Sequence, residues 1–538
     1  MATTTIVRSQ PPPTRPPGQL HIAYKPIIVA DNSQTWRATT VKDRHASRSY
    51  SVSQSTEIAR FSSRTSEHPW PPYQHAPGTS PLERLPTEIL QGIIDMVAMK
   101  EPALGGGSQQ YSIQSLLNTS RILYSVAVRA RYEHVAIHDS KVFRKLLFAL
   151  RGNPGFGTLV RRIDFSPFNP IVLFSSAKER LSADNPTPKT LIQCLNLAPR
   201  LREFVAQEHI DDEIDVMVLT KLFCHRPHLT AADFCGCSSL RFRTAMTTFT
   251  KSITDKNITF SVSRLSLHRC DNLPPVVFDQ LLHRMNALTH LDLAGTKVSA
   301  QALQSIPHSA RITHLNLSRC NGLTASAILE FLQSHPSVKD SLVVLNLAVD
   351  FRTRCGFREN DVSQLLISLP RSLRSLNLKG SEMGLAHIPL LRGLMMHLHE
   401  LALGRGLTVA DLERLFVADS RLFDQDEDAQ CCATPPAAIL SHTLRYLDLS
   451  DYVGQELDLG ALFSSECSIM QSRSAPLSVV EVAGEFFRGL SRSPIPIRVG
   501  WTDFSWKTGT GNWGMRKIPV VVGEVCAMYR NYTFMRSV

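Results

Sequence analysis

Leu288-Thr289-His290-Leu291-Asp292-Leu293 and Ile312-Thr313-His314-Leu315-Asn316-Leu317 are one phrase written twice, the second starting 24 residues after the first. Leucine or isoleucine fills the first, fourth and sixth places, and the fourth and sixth flank a polar residue, as in a short strand with one buried face. Such a strand cannot bury its apolar side chains alone; it must stack on copies of itself. A period in the twenties predicts one strand and one return segment per turn of a solenoid. How far the stack extends decides the architecture.

Aligning the central strand residue on related stretches gives Ile163, Phe204, Ala232, Leu265, Leu291, Leu315, Leu345, Leu376, Leu401, Leu447 and Val480. The spacing runs from 24 to 46 residues and is most even between 265 and 401. Helical runs fall between the strands, for example Ile328, Leu329, Phe331 and Leu332, or Leu412, Leu415 and Phe416. Strand followed by helix predicts an α/β leucine-rich-repeat solenoid, a horseshoe with parallel strands on its concave face. Cys237, Cys270 and Cys320 each stand five residues beyond a central strand residue. That register calls for a small buried residue at the turn after the strand. It resembles the cysteine-containing class of leucine-rich repeat.

The 538 residues include 58 Lys plus Arg against 47 Asp plus Glu, a formal charge of +11, and 43% are hydrophobic, ample for a packed core. No run approaches the ~20 apolar residues of a membrane helix, and the first residues lack an apolar signal core. A cytoplasmic or nuclear protein is expected, neither secreted nor membrane-bound. The 11 cysteines contain no C-x-x-C pair, so zinc-ribbon and thioredoxin chemistry have no support and reduced, buried thiols are expected. Residues 1–80 are rich in Pro, Ser, Thr and Arg without sustained periodicity and read as a disordered basic tail. The polar stretch Phe168 to Thr190 and the acidic loop at 424–440 read as insertions. Residues 499–538, with Trp501, Trp506 and Trp513, read as a cap on the last repeat, and nucleic acid is not an expected partner.

Between 81 and 133 the texture becomes helical. Leu85, Ile89, Leu90, Ile93, Ile94 and Val97 mark one apolar stripe, with Pro86 in the first turn where its missing N–H costs nothing. After a Gly-rich break a second run carries Ile113, Leu116, Leu117, Leu123, Val126 and Val128. Leu85-Pro86-Thr87-Glu88-Ile89-Leu90-Gln91-Gly92-Ile93 and Leu116-Leu117 through Arg121, Tyr124 and Tyr132 resemble an F-box, a module of about 50 residues known in front of leucine-rich repeats. The Gly-rich loop 100–110 is long for that family, and Gly92 weakens the first helix by about 1 kcal/mol relative to Ala.

The resemblance implies the substrate-recognition subunit of a Skp–cullin–F-box type ubiquitin ligase, without catalysis of its own. Leu85, Pro86, Ile89, Leu90, Ile93, Ile94, Leu116 and Leu117 would bind the Skp-type adaptor and, through it, the cullin. The rival is a non-catalytic repeat scaffold whose helices only cap the solenoid. The receptor requires the 85–94 stripe partly exposed; the scaffold requires it buried on the first repeat.

No catalytic, phosphate-cradling or metalloprotease motif occurs, and no cofactor is expected. His290 and His314 fall at equivalent places on neighbouring strands, within about 5 Å of each other. With no third ligand in the pattern, no metal site is assigned. Recognition is expected on the concave face, at Arg264, His268, His290, Asp292, His314, Asn316, Asn346, Arg374, Asn377, Lys379 and Tyr446. Its arginines and lysine suit an acidic or phosphorylated protein substrate.

Overall fold

The computed structural model describes, with side chains, residues 80–94, 115–168, 185–254, 257–349, 356–417, 440–452 and most of 458–483. The backbone is also described at 95–99, 22–28, 34–40, 501–504, 508–509, 518–519 and 533–536. The chain forms two units, Met1–Arg84 and Leu85–Val538. In the first, β1 (Ile22–Ile28) pairs antiparallel with β2 (Gln34–Thr40). This corrects the expectation of a wholly disordered tail. Ile22, Tyr24, Ile27, Thr35 and Trp36 favour a pleated chain. The rest of the tail lies outside the described residues.

The second unit opens with α1 (Thr87–Met99) and α2 (Arg121–Glu133). Twelve three-residue strands follow: β3 His134–Ala136, β4 Arg162–Asp164, β5 Glu203–Val205, β6 Ala231–Asp233, β7 Arg264–Ser266, β8 His290–Asp292, β9 His314–Asn316, β10 Val344–Asn346, β11 Ser375–Asn377, β12 Glu400–Ala402, β13 Tyr446–Asp448 and β14 Val479–Glu481. All pair in parallel, each with its successor. Each of the eleven central residues read from the sequence sits mid-strand and in register with the next, and Val135 heads the row. The fold is an α/β leucine-rich-repeat solenoid.

Repeat leucines hold it together. Leu288, Leu291 and Leu293 are buried, as are Ile312, Leu315 and Leu317 one turn on. Each such side chain contributes roughly 1.5–3 kcal/mol on burial, most of which the ordering of the chain offsets. The wider repeats before β7 are filled by aromatics: Phe165, Phe204 and Phe234 form a spine with ring centroids 6.0 and 6.3 Å apart. Return helices start at side-chain caps. Asp215, Ser239, Ser299, Thr324 and Thr408 each accept the N–H three residues on, satisfying a donor the first turn leaves open. The helix Pro188–Leu197, capped by Thr187, begins inside the stretch read as a first insertion. Residues 169–184 and 418–439, the remaining insertion calls, lie outside the described residues.

Beyond the strands the chain turns through the left-handed region, at Gly236, Arg269, Gly295, Arg319 and Gly380. A second ladder ties these turns together: Gly236 N–H donates to the His268 carbonyl (2.7 Å), Arg269 to Ala294 (2.7 Å), Gly295 to Ser318 (2.8 Å) and Arg319 to Ala348 (2.9 Å). The next residue is small and points inward. Cys270 and Cys320 donate their thiols to the carbonyls of Phe234 and Leu293, both at 3.1 Å, and Thr296 and Ser381 donate hydroxyls to Leu293 and Leu378, both at 2.6 Å. Cys237, Cys270 and Cys320 are free and buried, as expected. Burial pushes the Cys320 thiol up to about 12, so it stays protonated.

At the far edge the array changes direction. β18 (Thr533–Arg536) pairs antiparallel with β14, and β15 (Trp501–Phe504) pairs antiparallel with β18. β16 (Thr508–Gly509) pairs antiparallel with β17 (Ile518–Pro519). Among the described residues no helix is long and apolar enough to cross a membrane.

Candidate functional site

The two-helix module splits the stripe read from its sequence. Leu90 and Ile94 turn toward α2, where they pack with Leu123 and Val126 in a small core that Leu116 and Ala130 flank. Leu85, Ile93 and Leu117 are half-buried, Pro86 is exposed, and Ile89 is 53% exposed. On α2, Ile122 and Tyr124 also reach solvent. Leu90 and Ile94, expected among the adaptor-binding residues, face inward, because one side of a 13-residue helix must cover the module's own core. The module joins the solenoid through the other end of α2, where Tyr132 stacks on Phe156 with centroids 4.6 Å apart.

On the concave face, the third strand residue is repeatedly Asp or Asn. Its side chain has one role in common: Asp164, Asp233, Asp292, Asn316, Asn346, Asn377 and Asp448 each accept the backbone N–H two residues on, at 2.8–3.1 Å. These are Asx turns that stop the strand and start the bend. Asp292, Asn316, Asn346 and Asn377, expected to hold a substrate, are thus committed to the fold, and all but Asn346 are buried.

The other expected residues divide. Lys379 is buried, ion-paired with Asp448 and donating to Ser450 Oγ at 2.6 Å. Tyr446 is buried and donates to Glu481. Neither lies open to a substrate, because neighbouring rows crowd the inner curve near β12–β14. Arg374 precedes its strand and donates to the carbonyls of Arg371 (2.7 Å) and Leu373 (2.9 Å), so it braces a turn at the solenoid's edge.

Four residues remain together on the inner face. Arg264 pairs with Glu203 across the small Ala231, and Glu203 also accepts from Arg162 at 2.9 Å. Burial alone would raise the Glu203 carboxyl, but the two guanidiniums outweigh it and hold it below the usual range. His268 lies 3.2 Å from the Asp292 carboxylate. Burial opposes its charge, yet the carboxylate prevails and its pKa is raised. His290 and His314 stack with centroids 4.0 Å apart and planes within 9°. Thr289 Oγ1 donates to the Ser263 carbonyl at 3.0 Å, so at 2.9 Å it accepts from His290 Nδ1; Thr313 repeats this on Thr289 and His314. Burial, then the neighbouring His314 and Arg264, lowers His290 to about 3, and burial lowers His314 to about 4. Both rings are neutral at pH 7. Among the described residues no group of three or more His, Cys, Asp or Glu is arranged to hold a metal ion. A shallow cavity of about 110 Å³, lined by Leu317, Arg319, Cys320, Ile328 and Phe357, opens beside the turn after β9.

The chain resembles F-box proteins with leucine-rich repeats. Over 241 residues it is 29% identical to the F-box protein YLR352W of Saccharomyces cerevisiae, covering 42% of this chain and 30% of the relative. It thus spans about a third of that relative's length. No family model matches. Among solved structures, the yeast Rad7–Elc1 complex aligns with 84% of this chain and 100% of its own, with a TM-score of 0.38 and 11% identity. The leucine-rich-repeat protein LegL7 of Legionella pneumophila aligns with 50% of this chain and 82% of its own, with a TM-score of 0.29 and 16% identity.

Proposed function

We propose that the chain is the substrate receptor of a Skp–cullin–F-box type ubiquitin ligase. One observation carries the reading. The first helix keeps Ile89 and Pro86 in solvent, while Leu90 and Ile94 hold it to α2 and not to the first repeat. A helix that only capped the solenoid would turn its apolar face onto the repeats. The relative that shares 29% identity over 241 residues is itself named an F-box protein.

In this reading Leu85, Pro86, Ile89 and Ile93 line the adaptor-facing side, and Leu90 and Ile94 position them. A protein substrate is held by the solenoid, near Arg264, His268, His290 and His314. The chain would do no chemistry; it would raise the effective concentration of a substrate lysine at the ligase.

The test is co-purification of the full chain with a Skp-type adaptor, comparing wild type with Pro86→Ala/Ile89→Asp. The expected result is loss of the adaptor with an unchanged melting temperature, because both side chains are exposed. A well-folded wild-type chain that retains no adaptor would overturn the proposal and leave a repeat scaffold.

A further inference from the structure

Among the described residues, two non-glycine residues occupy the left-handed region, Arg269 at φ +58° and Arg319 at φ +55°. Both stand at the turn position that Gly236, Gly295 and Gly380 fill in other repeats. A side chain there is strained, and glycine would relieve it. The chain tolerates the strain twice, with the same residue type, on repeats separated by one glycine-bearing repeat. Backbone strain retained at matched positions is a pointer to a binding role.

The surroundings point the same way. Arg269 and Arg319 are exposed, and so is Lys297, two residues beyond the intervening Gly295. Among the described residues none of the three makes a salt bridge. The places matching Lys297 in the flanking repeats are Asp271 and Asn321, both exposed, so this edge carries three cations and one anion. The Arg269 side chain lies against Gly295: a Cβ there would stand 3.7 Å from the Arg269 Cα and Cγ. The ladder of N–H···O bonds from Gly236 to Ala348 holds the turns rigid.

We infer that this edge of the solenoid, at the C-terminal ends of β7–β9, binds an extended acidic segment of a partner protein through Arg269 and Arg319. Two strand spacings separate the arginines by about 9.6 Å. A polyproline-type segment repeats every third residue, at about 9.3 Å. Acidic side chains at i and i+3 of such a segment therefore meet both guanidiniums in succession, each able to grip a carboxylate with two N–H groups. The surface lies outside the concave face, and the inference does not depend on adaptor binding.

The test uses the full chain and the peptide acetyl-(Glu-Pro-Pro)4-amide. Its controls are a composition-matched peptide with the glutamates contiguous and the oligonucleotide pentathymidylate. The variant is Arg269→Gly/Arg319→Gly, which installs the residue the other repeats use. The expected result is tighter binding of the spaced peptide than of either control, lost about tenfold in the variant, with no fall in melting temperature. Equal affinity for the two peptides, tighter binding of the oligonucleotide, retention of binding in the variant, or no binding by the folded wild type each overturns the inference.

Discussion

Ile89 is apolar and 53% exposed; Lys379 is charged and 8% exposed. Each departs from the usual sorting of side chains, in opposite directions and in different parts of the molecule. On the helical module an apolar side chain stays in water where a short rotation of the helix would cover it. On the inner curve of the solenoid, rows of polar side chains leave the water and satisfy one another. The difference teaches where each region spends its interactions. The module leaves part of its apolar surface in solvent, whereas the inner curve uses most of its polar groups for shape.

The sharpest way to break that contrast is to remove one partner of the buried Lys379–Asp448 pair. Lys379→Met leaves Asp448 buried without its counter-ion, which costs about 3–5 kcal/mol. Urea unfolding of the full chain should show the loss, and Lys379→Met/Asp448→Asn, which removes the charge and keeps an oxygen for the Ser450 N–H, should restore much of it. A single substitution that left stability unchanged would mean this curve is wetter than its burial implies.

A second substitution tests the module. Leu90→Ala removes a fully buried side chain from a core of only a few residues and should cost the module roughly 2–5 kcal/mol. Hydrogen exchange of the α1 amides would report it, with the solenoid amides unaffected. Equal exchange in wild type and variant would mean that α1 is held by something other than α2.

A smaller effect is expected from pH. In the unfolded chain His290 and His314 titrate near the ordinary value of about 6.5; in the fold they titrate at about 3 and about 4. Between those values and about 6.5 the unfolded chain holds more protons, so stability falls as pH drops through that window. His268 has the opposite sign. Its raised pKa contributes stability that is complete below about 6.5 and lost as pH rises through the folded value. Urea midpoints measured across this range should flatten at the acid end in His290→Gln/His314→Gln and at the neutral end in His268→Gln. An unchanged acid slope in the double variant would remove the histidine stack as its cause.

The repeat was legible because strand alternation and period are written in residues that have no other role. Leu291 and Leu315 can be aligned by eye, and even Phe204 and Ala232, which break the leucine rule, keep the mid-strand place. The irregular repeats before β7 hid their phenylalanine spine, since wide spacing alone does not say what fills the space. In the module, residues 85, 89 and 93 follow one line of a helix and 86, 90 and 94 the next. Sequence merged them into one stripe; only the position of α2 separates what is covered from what is not. On the inner face, Asn316 or Asp292 looks the same on paper whether it waits for a ligand or folds back on its own chain. Local backbone geometry decides between these, and a strand pattern does not encode it.

The reversal at β14 has a further consequence. A thirteenth parallel repeat would need β14 to offer its outer backbone groups to a strand running the same way. β18 occupies that edge running the other way, so the parallel array stops at β14 and the sheet ends there on the antiparallel β15. The length of the parallel array is thus set by the four residues Thr533–Arg536.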